Sequence, residues 1–342
     1  MTTIASISEL LTISNCQFRV YDLGRKIDKL SKETFNKIEL NQLPYPFPFQ
    51  GHAHLAIAFW QKQSTQPFLW FVKLPLDERG LLNQGARNHF VAIIAEALGA
   101  DLSVDPTEKQ EELLKSNPYI FTPSQYKLAM LNSLLSFDLK APASQHYQNF
   151  QRYLLDKNWQ QWQTIGVQGI TDFVARVGDS SHDELIAQSL ANLPFQVLSP
   201  LCGALENKTL TLCIIESVLD LLSNTCGDNS EKQQMLLRSL ASSTQHPLVD
   251  EYFVDLLNKE QLPTDLLICI SGRCWSTLND EKRIKQYLEH LVAENNIELF
   301  NAIFKDLVAI PTIRPILFQC MRSTERSEKL SHAIGQLFTS PS

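Results

Sequence analysis

Apolar and polar positions change rhythm near residue 80. Before it, short runs alternate with the two-residue period of strands. After it, about 260 residues repeat the i, i+3, i+4, i+7 spacing of amphipathic helices, joined by short polar segments. In the first part, residues 3–12 predict a helix with Ile4, Ile7, Leu10 and Leu11 on one side. Cys16, Phe18 and Val20 alternate with polar neighbours and predict a strand that ends at Asp22-Leu23-Gly24. Residues 31–40 predict a helix capped by Ser31. The stretch PYPFPF (44–49) has proline at alternate positions, so it is extended and excluded from a sheet interior. It reads either as a strap across the sheet or as an extended ligand for another domain. HAHLAIAFW (52–60) and PFLWFVKL (67–74) predict two more strands, joined as an antiparallel hairpin. The helix at 83–98, stopped by Gly99, is the natural cover for that sheet.

From residue 104 onward the helix grammar repeats. Asp105-Pro106 with Glu108, Thr122-Pro123 with Gln125, Ser181 with Glu184, and Ser230 with Gln233 read as starts of helices. Helix pairs recur every 30 to 40 residues from 167 onward, the spacing of HEAT or armadillo hairpins, although no residue pattern superimposes from pair to pair. The segment 209–225 is apolar on nearly every side and predicts a helix buried all round. The expected fold is therefore α+β and mainly α. An N-terminal domain with a three-stranded antiparallel sheet (1–103) precedes an α-helical, solenoid-like array (104–342).

Charge and cysteine usage narrow the classes. The net charge is −7, with nine Lys/Arg against seven Asp/Glu in residues 1–80 and 21 against 30 beyond. An acidic array is a poor wrapper of nucleic acid. Binding through the N-terminal part would need Arg19, Arg25, Lys26, Lys29 and Lys32 to gather on one face. The first residues lack a basic n-region and carry Glu9 within their apolar stretch, which argues against a secretory signal. No apolar run approaches the ~20 residues that span a bilayer. The seven cysteines (Cys16, Cys202, Cys213, Cys226, Cys269, Cys274, Cys320) are scattered and without a CxxC pair, which suits reduced thiols in a cytoplasm and neither a disulfide framework nor zinc. No cofactor is expected.

Candidate chemistry is sparse. His52 and His54 share one strand face and could grip a metal given a facing carboxylate; the plainer reading is an exposed edge-strand start. Asp77-Glu78-Arg79 follows the hairpin directly. It could pair carboxylates with an anion clamp, or simply orient the next helix. With His89 these residues make a candidate site at the junction of the two domains. ISGRCW (270–275) reads as a helix end with Trp275 packing back. No GxSxG, P-loop or GxGxxG motif occurs. Trp159 and Trp162, in the polar stretch KNWQQWQ, share a helix face at i and i+3. They serve as internal anchors or as a hot spot for a protein partner.

The wording FLWFVKLPLDERGLLN (68–83), with the chain length and helical remainder, resembles a family of uncharacterised bacterial proteins, mostly gammaproteobacterial, grouped as a domain of unknown function. The resemblance spans nearly the whole chain. It implies a cytoplasmic bacterial protein and carries over no catalytic residue. The sequence thus favours a non-enzymatic protein-interaction protein, a scaffold or adaptor. The alternative is an enzyme or a ligand- or metal-binding protein with its site at the junction.

Overall fold

A computed structural model describes residues 4–61, 67–98, 107–225 and 230–337. The chain divides into two compact units, Met1–Pro123 with Ala309–Thr312 and Ser124–Val308 with Ile313–Ser342. The expected division after residue 103 lies outside the described residues, as do the Gly99 stop and the Asp105-Pro106 start.

The first unit runs α1 (Ile7–Ile13), β1 (Cys16–Asp22), β2 (Asp28–Leu30), α2 (Lys32–Glu39), β3 (His52–Gln61), β4 (Phe68–Pro75), α3 (Gln84–Leu98) and α4 (Glu108–Lys115). The sheet is antiparallel in the order β2-β1-β3-β4. It has four strands rather than the expected three, because three-residue β2 pairs Val20 with Leu30 at the end of β1. So short a strand leaves no alternation to detect. β3 lies inside the sheet rather than at its edge, flanked by β1 and β4.

Alternation on β3 sends Leu55, Ile57 and Phe59 into one core with Phe18 and Val20 of β1 and Val72 and Leu74 of β4. Ile7, Leu10 and Leu11 of α1, Phe35 and Ile38 of α2, and Phe90 and Ile94 of α3 cover them. Each such side chain contributes roughly 1.5–3 kcal/mol by leaving water. α4 packs on α3 and so belongs with the sheet. Tyr45 and Pro48 of the proline-rich stretch are buried, and Pro48 O accepts from Arg25 Nε at 2.9 Å, which makes 44–49 a packed strap.

The second unit contains α5 (Gln125–Asp138), α6 (Tyr147–Asp156), α7 (Val167–Val174), α8 (Ser180–Ser189), α9 (Phe195–Leu205), α10 (Leu212–Asn224), α11 (Ser230–Ser239), α12 (Pro247–Leu257), α13 (Thr264–Gly272), α14 (Glu281–Ala293), α15 (Ile297–Ala309), α16 (Arg314–Arg322) and α17 (Glu328–Leu337). From α5 to α14 and on to α16, helices pack on the next but one, while α17 packs on α14. One row runs α5, α7, α9, α11, α13, and the other runs α6, α8, α10, α12, α14, α16.

Polar bonds follow the same step. Ser133 Oγ donates to Asp172 across 39 residues, and Leu210 N donates to Ser243 Oγ across 33. Arg283 pairs with Asp250 across 33, and Gln319 donates to Glu281 across 38. Tyr126 is different: its hydroxyl donates to Pro200 O, 74 residues away, at 2.7 Å.

Three local expectations change. α10 is buried on one face only, through Ile214, Ile215, Val218 and Leu222, while Leu212 is 51% exposed. Glu216, Asp220, Ser223 and Asn224 form an exposed stripe opposite, so the apolar excess of this segment was not all-round. α8 is capped by Asp179, whose carboxylate accepts from Ser181 N at 3.0 Å, rather than by Ser181 with Glu184. α5 is capped by Ser124 rather than through Thr122.

Candidate functional site

The residues singled out in the sequence divide by environment. His54 is buried with its ring edge-on to Phe49 and Phe121, at centroid distances of 5.5 and 5.1 Å. The His52 ring lies 6.2 Å from that of His54, and its Nδ1 is 2.7 Å from Gln50 O. Asp77 is committed to its own turn. Its Oδ1 accepts from Arg79 N at 2.9 Å and Leu81 N at 2.8 Å, and its carbonyl accepts from Gly80 N at 2.9 Å. Gly80 takes φ +80°, the left-handed conformation that glycine adopts at least cost, and its carbonyl accepts from Tyr45 N at 2.8 Å. Glu78 and Arg79 are exposed. His89 is exposed on α3, where Nδ1 lies 3.2 Å from the Tyr119 hydroxyl. Among the described residues no group of three or more His, Cys, Asp or Glu side chains could hold a metal ion.

The basic residues of the first unit do not form one exposed set. Arg25 is buried, Lys26 pairs with Asp28 at 3.3 Å, and Arg19 lies over the Trp60 ring. Trp159 and Trp162 sit on a 3-10 turn (Trp159–Thr164), not an α-helix, and both are half-buried. The Trp159 ring stands edge-on to Tyr153, whose hydroxyl donates to Trp159 O at 3.3 Å.

A constellation that sequence reasoning missed lies in the second unit, where the C-terminal ends of three helices of one row supply Glu206, Arg238 and Arg273. Glu206 caps α9, Arg238 stands in the last turn of α11, and Arg273 caps α13. Row packing sets these ends side by side. The Glu206 side chain is 3% exposed. Arg238 grips it with two parallel bonds, Nε to Oε2 and Nη2 to Oε1, the second at 2.6 Å. Arg273 Nε approaches Oε2 at 3.2 Å, and its Nη1 donates to Gly272 O at 3.2 Å.

Burial is the largest single effect on Arg238 and opposes its charge, but hydrogen bonding to Glu206 and the attraction of that carboxylate's charge together outweigh it, so this guanidinium lies above its ordinary range. Burial, with Glu206 alongside, pushes the Tyr126 phenol well up. Burial also pushes the Cys202 thiol up to about 12, so it stays protonated and is no nucleophile at neutral pH. A cavity of about 240 Å³ opens beside the two arginines, lined also by Met235, Ile268, Cys269 and Gly272. Two guanidiniums therefore border the cavity. Separations of 32 and 35 residues between its members match the helix-pair spacing, the one sequence signal that could have found it.

Fold and site together define a mainly helical α+β protein whose polar clusters join neighbouring helices. The chain belongs to the family described as "Protein of unknown function (DUF3549)", whose model matches residues 2–338. Comparisons with curated proteins and with solved structures found no match. No helix among the described residues is long and apolar enough to cross a membrane.

Proposed function

We propose that this chain is a non-enzymatic protein-interaction protein of the bacterial cytoplasm, a scaffold or adaptor whose solenoid-like helical array presents a surface to another protein. The observation that supports this reading is the regular step of the second unit. Helix packs on next-but-one helix, and side-chain bonds such as Glu206–Arg238, Asp250–Arg283 and Ser133–Asp172 recur at 32 to 39 residues. Stacks built by such repetition offer extended surfaces, and their polar groups are spent on joining neighbours rather than on converging at one reacting centre. Trp159 and Trp162, half-exposed on a short 3-10 segment, are the proposed anchors for the partner.

The test is affinity purification of tagged full-length protein from its native cells, beside the Trp159→Ala/Trp162→Ala variant checked for folding by circular dichroism. The expected result is one protein retained in stoichiometric amount by the wild type and lost from the variant. Recovery of no partner under gentle conditions would overturn the reading.

A further inference from the structure

We propose that Arg238 and Arg273 form the recognition site for a carboxylate carried on an apolar peptide segment of a partner protein. This rests on the interaction reading above and assigns it a second, chemically defined contact.

The charge balance is the first argument. One carboxylate, Glu206, meets two guanidiniums. Arg238 alone engages both of its oxygens in the fork geometry, so the buried charge is already matched once. Arg273 adds a second positive charge at longer range, leaving the cluster one charge positive. Among the described residues, Nη1 of Arg238 and Nη2 of Arg273 make no hydrogen bond. Their side chains remain 35% and 27% exposed, so the spare donors can reach a second acceptor.

The lining is the second argument. Both arginines open onto the same cavity, and its other walls include Met235 and Ile268, the latter 42% exposed. At Gly272 nothing lies within 4 Å of the place a Cβ would occupy, so the floor is open. A carboxylate flanked by an apolar side chain satisfies both walls. Its oxygens replace water on the guanidiniums, while its neighbour covers Met235 and Ile268. Held in place by Glu206, the arginines are pre-organised and surrender little side-chain freedom on binding.

Two variants probe the site without dismantling it. Arg273→Ala keeps the bidentate Arg238–Glu206 pair, and Gly272→Leu fills the floor without altering charge. Full-length wild type is panned against a displayed library of random linear peptides, and enriched peptides are synthesised and measured by fluorescence anisotropy, with thermal melts confirming that each variant is folded. The expected peptides carry Asp, Glu or a free C-terminus beside Leu, Ile, Val or Phe. Their binding falls about tenfold on Arg273→Ala, the loss typical of a buried interface arginine. Gly272→Leu also weakens it. Exchanging the peptide's Glu for Gln weakens binding to the wild type more than it weakens binding to Arg273→Ala, which retains Arg238.

The proposal is overturned by a library without carboxylate enrichment, or by peptides indifferent to both variants. Failure of all peptides together with thermal stabilisation by inorganic phosphate would reassign the cavity to a small anion and likewise overturn it. A cellular partner retained equally by wild type and Arg273→Ala would remove this inference and leave the interaction reading standing.

Discussion

Glu39, the last residue of α2, accepts hydrogen bonds from both the amide and the hydroxyl of Ser8 in the first turn of α1, at 3.0 and 2.5 Å. The Ile7 amide donates to its other oxygen at 2.7 Å. A buried carboxylate thus closes the N-terminus of one helix from the C-terminus of another, where otherwise unpaired amides and the helix dipole favour negative charge. Glu39→Ala strands two buried amides and should cost about 2–4 kcal/mol. The difference in denaturation midpoint from wild type measures it.

The same carboxyl makes a pH prediction. Burial raises it, and bonds from Ser8 and Ile7 and the charge of Arg87 only partly oppose that rise. A carboxyl raised on folding binds a proton more readily in the folded state. Its stabilising contribution is full below the unfolded value and is lost as pH rises through the folded one. Glu39→Gln lacks this term. Wild type should therefore gain melting temperature relative to Glu39→Gln as pH falls from 7 towards the unfolded carboxyl value; a constant gap would refute the shift.

Arg238 and Arg273 are unequal partners of Glu206. Removing Arg238 leaves a buried carboxylate held only by the longer Arg273 contact and should cost about 3 kcal/mol. Removing Arg273 should cost about 1 kcal/mol or less, since the fork persists and its side chain is partly solvated. Urea unfolding of the two Ala variants should show that order.

Gly203 and Gly169 give a graded steric test. A Cβ at Gly203 would stand 2.9 Å from the Tyr126 hydroxyl, and one at Gly169 would stand 2.6 Å from His146 O. A side chain can yield where backbone cannot. Gly203→Ala should cost about 1–2 kcal/mol and Gly169→Ala about 3 kcal/mol. Tyr126→Phe removes the nearest atom, so combined with Gly203→Ala it should cost less than the sum of the two, a coupling a double-mutant cycle detects.

Asp77→Asn keeps the Oδ1 acceptor of its turn, and Asp77→Ala removes it. The first should melt close to wild type. The second should lose about 1–2 kcal/mol, because the amides of Arg79 and Leu81 then lack their partner.

Periodicity made most elements readable. Phenylalanine and valine at alternate places on β1, and the Phe195–Leu205 helix, follow local patterns that hydrophobic burial enforces. Trp159 and Trp162 looked like neighbours on an α-helix, but they occupy a 3-10 segment that departs from helical geometry at Gln161, between them. The Asp77 cluster was visible as charged residues after a strand; that its carboxylate closes a turn depends on Gly80 taking a positive φ. Glu206, Arg238 and Arg273 stayed hidden because each is an ordinary residue near a helix end. Only the stacking of α9, α11 and α13 brings them together.

Side-chain bonds such as Arg238–Glu206 and Arg283–Asp250 join helices one step apart in their row, whereas Tyr126 reaches from α5 to Pro200 in α9. In a structure coupled only to nearest neighbours, opening can start anywhere and spread independently. A tie of 74 residues changes that for the stretch it encloses. Helices α5 and α9 cannot part without breaking it, so the amides of α5, α7 and α9 should exchange with solvent together.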